Sequence, residues 1–366
     1  MMLNFQSLQI AFLYLFVFFL PLYSSAQPGL KSNEVKREWW HIEELKPYKA
    51  DPKSKKMSFI RVKGNSFVDE SGKSIVFKGL SISDPDKLVK DGRWNKRHFE
   101  EIKRWGANII RIPVHPIAWH QRGVEEYMRL LDDAVTWSSE LGIYLIIDWH
   151  SIGNLHMEIL AHDMHYTTKQ ETFNFWRTIA AHYKDVPAVA FYEIFNEPTI
   201  YDGQYGNTTW AEWKVLAEQI IDVIYAQNKK AIPLVAGFNW AYDLTPVREN
   251  PIAREGIGYV THPYPGKRPV PREPKWEEDF GYVADKYPVV ATELGFMKEG
   301  DDENLHDDGV YGPSIMNYFN KKGISWVVWV FDPVWVPQMI KNWDYEPTEQ
   351  GKFFREVMQG KFKYAR

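Results

Sequence analysis

The chain has 366 residues, a formal net charge of -4 and a pI near 6.3. The length fits one large barrel or two ordinary domains, and the charge lacks the basic excess a phosphate backbone requires, which excludes nucleic acid as a partner. Cysteine is absent, so disulfides, thiolate zinc sites and a lipid-bearing cysteine anchor are excluded, while 16 Trp, 20 Tyr and 21 Phe supply flat rings suited to hydroxylated ligands as well as to a core.

The first element is an apolar run from Ile10 to Tyr23, followed by the small residues Ser24-Ser25-Ala26. It is too short to span a bilayer and reads as a signal peptide over 1–26, although no positive charge precedes it. The expectation is a secreted or periplasmic protein with no membrane association after cleavage. Residues 27–56 are rich in Lys, Glu and Pro, contain Trp39-Trp40, and read as a spacer or an arm packed on the domain that fills 57–366. Phe59–Val62 and Ser74–Phe77 flank the turn cluster Asp69-Glu70-Ser71-Gly72 and predict a short hairpin that plugs the bottom of a barrel.

From there short β-branched runs alternate with segments at helical spacing, the pattern of a parallel sheet. Strands are predicted over 75–82, 108–114, 143–149, 188–195, 232–237, 257–262, 288–293 and 324–331. Helices are predicted over 125–141, 169–183, 210–227, 275–286, 311–322 and 351–358. Eight βα repeats make an α/β fold, a single (β/α)₈ TIM barrel, with a doubly wound sheet and second domain as the alternative.

Active sites of such barrels gather at the C-terminal ends of the strands. Those ends are polar here: Arg111 and His115 follow the second strand, Asp148-Trp149-His150 the third, Asn196-Glu197-Pro198 the fourth, His262-Pro263-Tyr264 the sixth, Glu293 the seventh and Trp329 the eighth. Singly, each has an ordinary structural explanation: a salt-bridge arginine, a satisfied histidine, a turn-forming asparagine, a core tryptophan. Glu197 and Glu293 resist that explanation, because both end apolar runs where an unpaired carboxylate is costly to bury. Three βα units separate them, so they face each other across the mouth, as a two-carboxylate glycosidase requires.

The runs Tyr192-Glu193-Ile194-Phe195-Asn196-Glu197-Pro198, His262-Pro263-Tyr264, Thr292-Glu293-Leu294-Gly295 and Ser325-Trp326-Val327-Val328-Trp329 resemble glycoside hydrolase family 5, the cellulase-type family. The resemblance runs from about residue 58 to the end. It implies a (β/α)₈ barrel, a retaining mechanism and no cofactor, with Glu197 as acid/base, Glu293 as nucleophile, and Arg111, His150, Asn196, His262, Tyr264 and Trp329 around them. Trp240 resembles a stacking residue on the leaving-group side; Trp119 and Trp335 are weaker candidates of the same kind. These roles make physical sense. Arg111 can fork onto Glu293 and Tyr264 add a hydrogen bond, keeping the nucleophile ionised, while the charge of Glu293 raises Glu197 so that it starts protonated. Asn196 is expected on the sugar 2-hydroxyl. His150 and His262 are expected to orient the sugar or the Glu197 carboxyl, and Trp329 to form the floor.

The expected activity is endo-acting hydrolysis of β-1,4-linked glucan by a monomer whose partner is a polysaccharide. Alternatives are a β-mannanase or another β-glycanase of the family, or a non-catalytic carbohydrate-binding barrel. The histidines 156, 162 and 165 spell a metal cluster but are better read as a loop shaping distal sugar subsites, and the acidic loop 301–308 as solvated. No metal is expected.

Overall fold

A computed structural model describes residues 45–199, 203–298, 302–307 and 309–365. The signal peptide, Trp39-Trp40 and the first part of the arm lie outside them, as do Asp301 and Asp308. Residues 45–56 pack on the domain: Tyr48 N donates to His182 O (2.8 Å), Lys55 N to Ser139 O (3.0 Å), and the Tyr48 hydroxyl bonds Thr136.

The hairpin is tighter than expected. Strands β1 (Arg61–Lys63) and β2 (Ser66–Val68) pair across Gly64-Asn65, with Gly64 at φ 60°, the first turn position that a two-residue hairpin reserves for glycine. The Asp69–Gly72 cluster makes a second turn, closed by a bridge between Val68 and Ser74. Seven more strands precede β10 in the chain: β3 (Lys78–Ser81), β4 (Ile109–Val114), β5 (Tyr144–Trp149), β6 (Ile152–Asn154), β7 (Ile159–Leu160), β8 (Val189–Glu193) and β9 (Glu197–Pro198). Then come β10 (Ile232–Ala236), β11 (Gly258–Thr261), β12 (Val289–Ala291) and β13 (Ser325–Val328). Strands β3, β4, β5, β8, β10, β11, β12 and β13 close a parallel barrel, as expected.

The helices are α1 (Pro85–Lys90), α2 (Lys96–Arg104), α3 (Pro116–Arg122), α4 (Val124–Leu141), α5 (Lys169–His182), α6 (Trp210–Gln227), α7 (Glu273–Asp279), α8 (Tyr311–Lys322) and α9 (Glu349–Met358). Three of them, α5, α6 and α9, start where the sequence supplies caps: Thr168, Thr209 and Thr348 each accept a backbone N–H, and Thr209 with Glu212 forms a capping box. The stretch expected as one helix over 275–286 is instead α7 followed by a 3₁₀ turn, Gly281–Asp285. No helix among the described residues is long and apolar enough to cross a membrane.

Side chains alternate between the two faces of a strand, so every second residue points inward. Ile109, Ile146, Phe191, Val260, Val290 and Val327 form one apolar interior cluster, joined from below by Ile60 and Phe67 of the hairpin region, which close the bottom. Two residues further along the same strands stand Arg111, Asp148, Glu193, His262, Thr292 and Trp329. A polar layer therefore sits directly on an apolar one, and the site is built on that layer.

Candidate active site

Glu197 and Glu293 lie just beyond the barrel strands β8 and β12, and the chain at each is tied by backbone hydrogen bonds. A small sheet, β7-β6-β9, crowns the mouth, with Ile152 opposite Glu197; Asn196 N donates to Trp149 O and Glu197 N to Ser151 O, both 3.1 Å. On the other wall Trp329 N donates to Leu294 O (2.9 Å), tying the segment after β12 to the end of β13. The two carboxylates are 9% and 5% exposed. One oxygen of each lies, with a ring nitrogen of His262, in a trio whose atoms are all within 4.8 Å of one another.

Arg111, fully buried, organises the floor. Its Nη1 donates to Glu293 Oε1 (2.8 Å), its Nε and Nη2 fork onto Glu193 (2.7 and 3.0 Å), and Nη2 also reaches Asn196 Oδ1 (2.6 Å) and Asp148 Oδ2 (3.0 Å). Tyr264 donates its hydroxyl to Glu293 Oε2 (2.9 Å). Burial pushes that phenol well above its usual range, with the charges of Glu293 and Glu197 adding, so it stays a donor. His262 joins the walls: Nδ1 meets Glu197 Oε1 and Nε2 meets Thr292 Oγ1, both at 2.9 Å, while Thr292 donates onward to Glu193 Oε1 (2.8 Å). Because the threonine proton points at Glu193, its oxygen accepts from His262, which fixes a proton on Nε2.

The electrostatics revise one expectation. Burial disfavours the charged ring of His262, but Glu293, Glu193 and Glu197 outweigh it and lift its pKa from 6.5 to about 9. In the free protein the ring is a cation bonded to Glu197. Burial raises Glu197, yet the His262 hydrogen bond and charge, with the charges of Lys267 and Arg111 adding, more than offset that and hold it below the usual carboxylate range. Repulsion from Glu293 is therefore outweighed at Glu197 by the hydrogen bond and charge of His262. Glu293 is pushed up by burial and by its carboxylate neighbours, against the pull of His262 and Arg111.

Two further residues are anchored by the floor. Asn196 spends its carbonyl oxygen on Arg111, which leaves its amide nitrogen as the end able to meet a sugar hydroxyl. His150 contacts neither Glu197 nor the cleft centre through its Nδ1, which bonds Asp148 Oδ2 (2.6 Å). Its ring stacks on Trp329 at 5.3 Å and 2°, and burial with neighbouring cations keeps it neutral. Trp329 is partly exposed, as a floor would be, and its ring also runs nearly parallel to that of Trp335 (5.8 Å, 16°). Trp119 is core, 5% exposed and edge-on to Phe175.

Glu193, Asp148 and Thr292 were missed as site residues. The available signal was the two-residue step from the apolar interior layer, which puts an acid inside a run such as Phe191-Tyr192-Glu193. The three loop histidines diverge: His165 is buried against the site, its Nδ1 on His150 O (3.0 Å), His156 faces Glu212 (3.8 Å), and His162 caps a 3₁₀ turn. On the other side of Glu197 a cavity of about 480 Å³ is lined by Asn239, Trp240, Tyr264, Lys267, Arg268 and Asp302 among others. Trp240 thus lines the same cavity as Glu197.

Residues 68–334 match the model of the cellulase family, glycosyl hydrolase family 5. The chain belongs to this family. As a family-5 glycoside hydrolase it is similar to the β-glucanase SdGluc5_26A of Saccharophagus degradans, at 49% identity and TM-score 0.85 over 88% of this chain and 99% of that one; the same figures hold for that protein in complex with cellotetraose. Among curated relatives, Endoglucanase A of Butyrivibrio fibrisolvens is 28% identical over 70% of this chain, and the match spans 56% of that protein's length. An endoglucanase of Paenibacillus polymyxa is 23% identical over 78% of this chain and 83% of its own.

Proposed function

We propose that the protein is an exported, retaining, endo-acting enzyme that hydrolyses β-1,4-linked glucan, with Glu293 as nucleophile and Glu197 as acid/base. The observation that carries this reading is the approach of the two carboxylates to within 4.8 Å, one bonded by Arg111 and Tyr264 and the other by His262. Retaining enzymes keep the pair about 5–5.5 Å apart, too close for a water between nucleophile and sugar.

The chemistry then follows from the hydrogen bonds. As the glycosidic oxygen meets Glu197, the proton on His262 Nδ1 passes to the carboxylate and on to the departing oxygen, while His262 keeps its Nε2 proton on Thr292. Glu293 attacks the anomeric carbon and forms a glycosyl ester, losing its charge. Glu197, now ionised, accepts a proton from the incoming water, which displaces Glu293. The amide nitrogen of Asn196 is placed for the 2-hydroxyl and Trp329 for the ring. The glucan reading draws support from relatives named endoglucanases and from the β-glucanase that binds cellotetraose.

Proton NMR of cellopentaose hydrolysis tests the reading. Release of the β-anomer first, with mannan untouched, is expected; release of the α-anomer, or cleavage of mannan alone, would overturn it. Sequencing the exported protein should find Gln27 at its start.

A further inference from the structure

Beyond β10 the chain enters the cleft through three consecutive residues with left-handed backbone, Asn239, Trp240 and Ala241, at φ 57°, 53° and 58°. Side-chain-bearing residues adopt this conformation singly as a rule, because Cβ crowds the following carbonyl, so a run of three must be imposed by its surroundings. Here the flanks are pinned: Phe238 and Asp243 exchange backbone hydrogen bonds of 3.1 and 2.9 Å, and a Cβ at Gly237 would lie 1.9 Å from Asp243 O. The tip is held by Lys267, whose Nζ donates to Asn239 O (3.1 Å) and lies 5.1 Å from the centre of the Trp240 ring.

Two cations line the cavity beside Glu197, and they are used differently. Arg268 is committed to Asp279 through two bonds of 2.7 and 3.0 Å. Lys267 gives one of its three N–H groups to Asn239 and is half-buried where burial weakens its hydration. With Glu197 and Asp302 in the same lining, the cavity disfavours an anion; a neutral hydroxylated ring above an indole suits it.

We propose that Lys267 determines specificity at the leaving-group subsite: it fixes the left-handed turn so that Trp240 lies as a platform for the leaving-group sugar, and donates to a hydroxyl of that sugar. This rests on the reading of Glu197 as the acid, which places the leaving group in this cavity.

The test compares cellotetraose, which needs the subsite, with β-cellobiosyl fluoride, whose leaving group is a single atom. Losing a charge-assisted hydrogen bond predicts that Lys267→Met lowers kcat/KM on cellotetraose by about 10- to 100-fold, and by at least about tenfold more than on the fluoride. Lys267→Arg, which keeps a cation and donors, should recover most of the loss and guards against a folding defect, as does an unshifted melting temperature. Equal losses on both substrates, or no loss on cellotetraose, would overturn the assignment. A wild-type enzyme that cleaves neither substrate would instead remove the glucanase reading and this one with it.

Discussion

Replacing Arg111 by lysine keeps the buried charge and removes the fork. One ammonium cannot serve Glu193, Glu293, Asn196 and Asp148 together, and the two-pronged bond to Glu193 (2.7 and 3.0 Å) marks the side on which a shorter side chain settles. Glu293 then keeps Tyr264 and loses its 2.8 Å bond to the guanidinium. A hydrogen bond to a charged group is worth about 1.5–3 kcal/mol, which is about one to two pH units on the carboxyl that loses it. The acid limb of the kcat/KM profile, which reports groups of the free enzyme, should move up by that amount. The assay is hydrolysis of soluble β-glucan from pH 4 to 9, with thermal melting alongside. An acid limb that stays in place while activity persists would refute the coupling of Arg111 to the nucleophile.

Glu197→Gln should cut polysaccharide hydrolysis by about 10²–10⁴-fold, the usual worth of general acid–base catalysis, while a dinitrophenyl glycoside, whose leaving group needs no proton, is turned over faster when azide is added. Equal losses on both substrates without azide rescue would contradict the acid/base role. Two of the buried histidines, His262 and His98, give stability profiles of opposite sign. For His262 the folded value of about 9 exceeds the ordinary 6.5, so its stabilisation is complete below pH 6.5 and is lost as pH rises through about 9. That rise corresponds to about 3 kcal/mol at most, and melting temperatures of the wild type against His262→Gln, whose profile should be flatter, measure it. His98 has no partner on either ring nitrogen among the described residues, and burial pulls it down to about 3. The neutral ring's advantage, present above pH 6.5, is lost as pH falls toward 3, and His98→Leu should flatten that acid side.

The barrel strands were legible because most are short apolar, often β-branched runs, and Glu197 and Glu293 because apolar runs rarely end in acids without a reason. What escaped detection escaped for physical causes. Helices α1, α2 and α3 are short, and α2 buries only His98, Phe99 and Ile102, too few positions to establish a period. Glu193 and Asp148 lie within strands, where a local reading sees only one polar residue in an apolar run; their function depends on an arginine in another strand. The proton on His262 depends on three carboxylates contributed by β8, by β9 and by the segment after β12. Lys267 sits in a loop whose partner, Asn239 O, is a backbone atom that no side-chain pattern reveals.

The central claim is that Glu293 forms a covalent bond with the sugar. Incubation with a 2-deoxy-2-fluoro-β-cellobioside carrying a dinitrophenyl leaving group, followed by peptide mass spectrometry, tests it directly. One cellobiosyl adduct on the peptide containing Glu293 is predicted, absent in Glu293→Gln. An adduct on Glu197, or none while the enzyme turns over the ordinary substrate, would contradict the account.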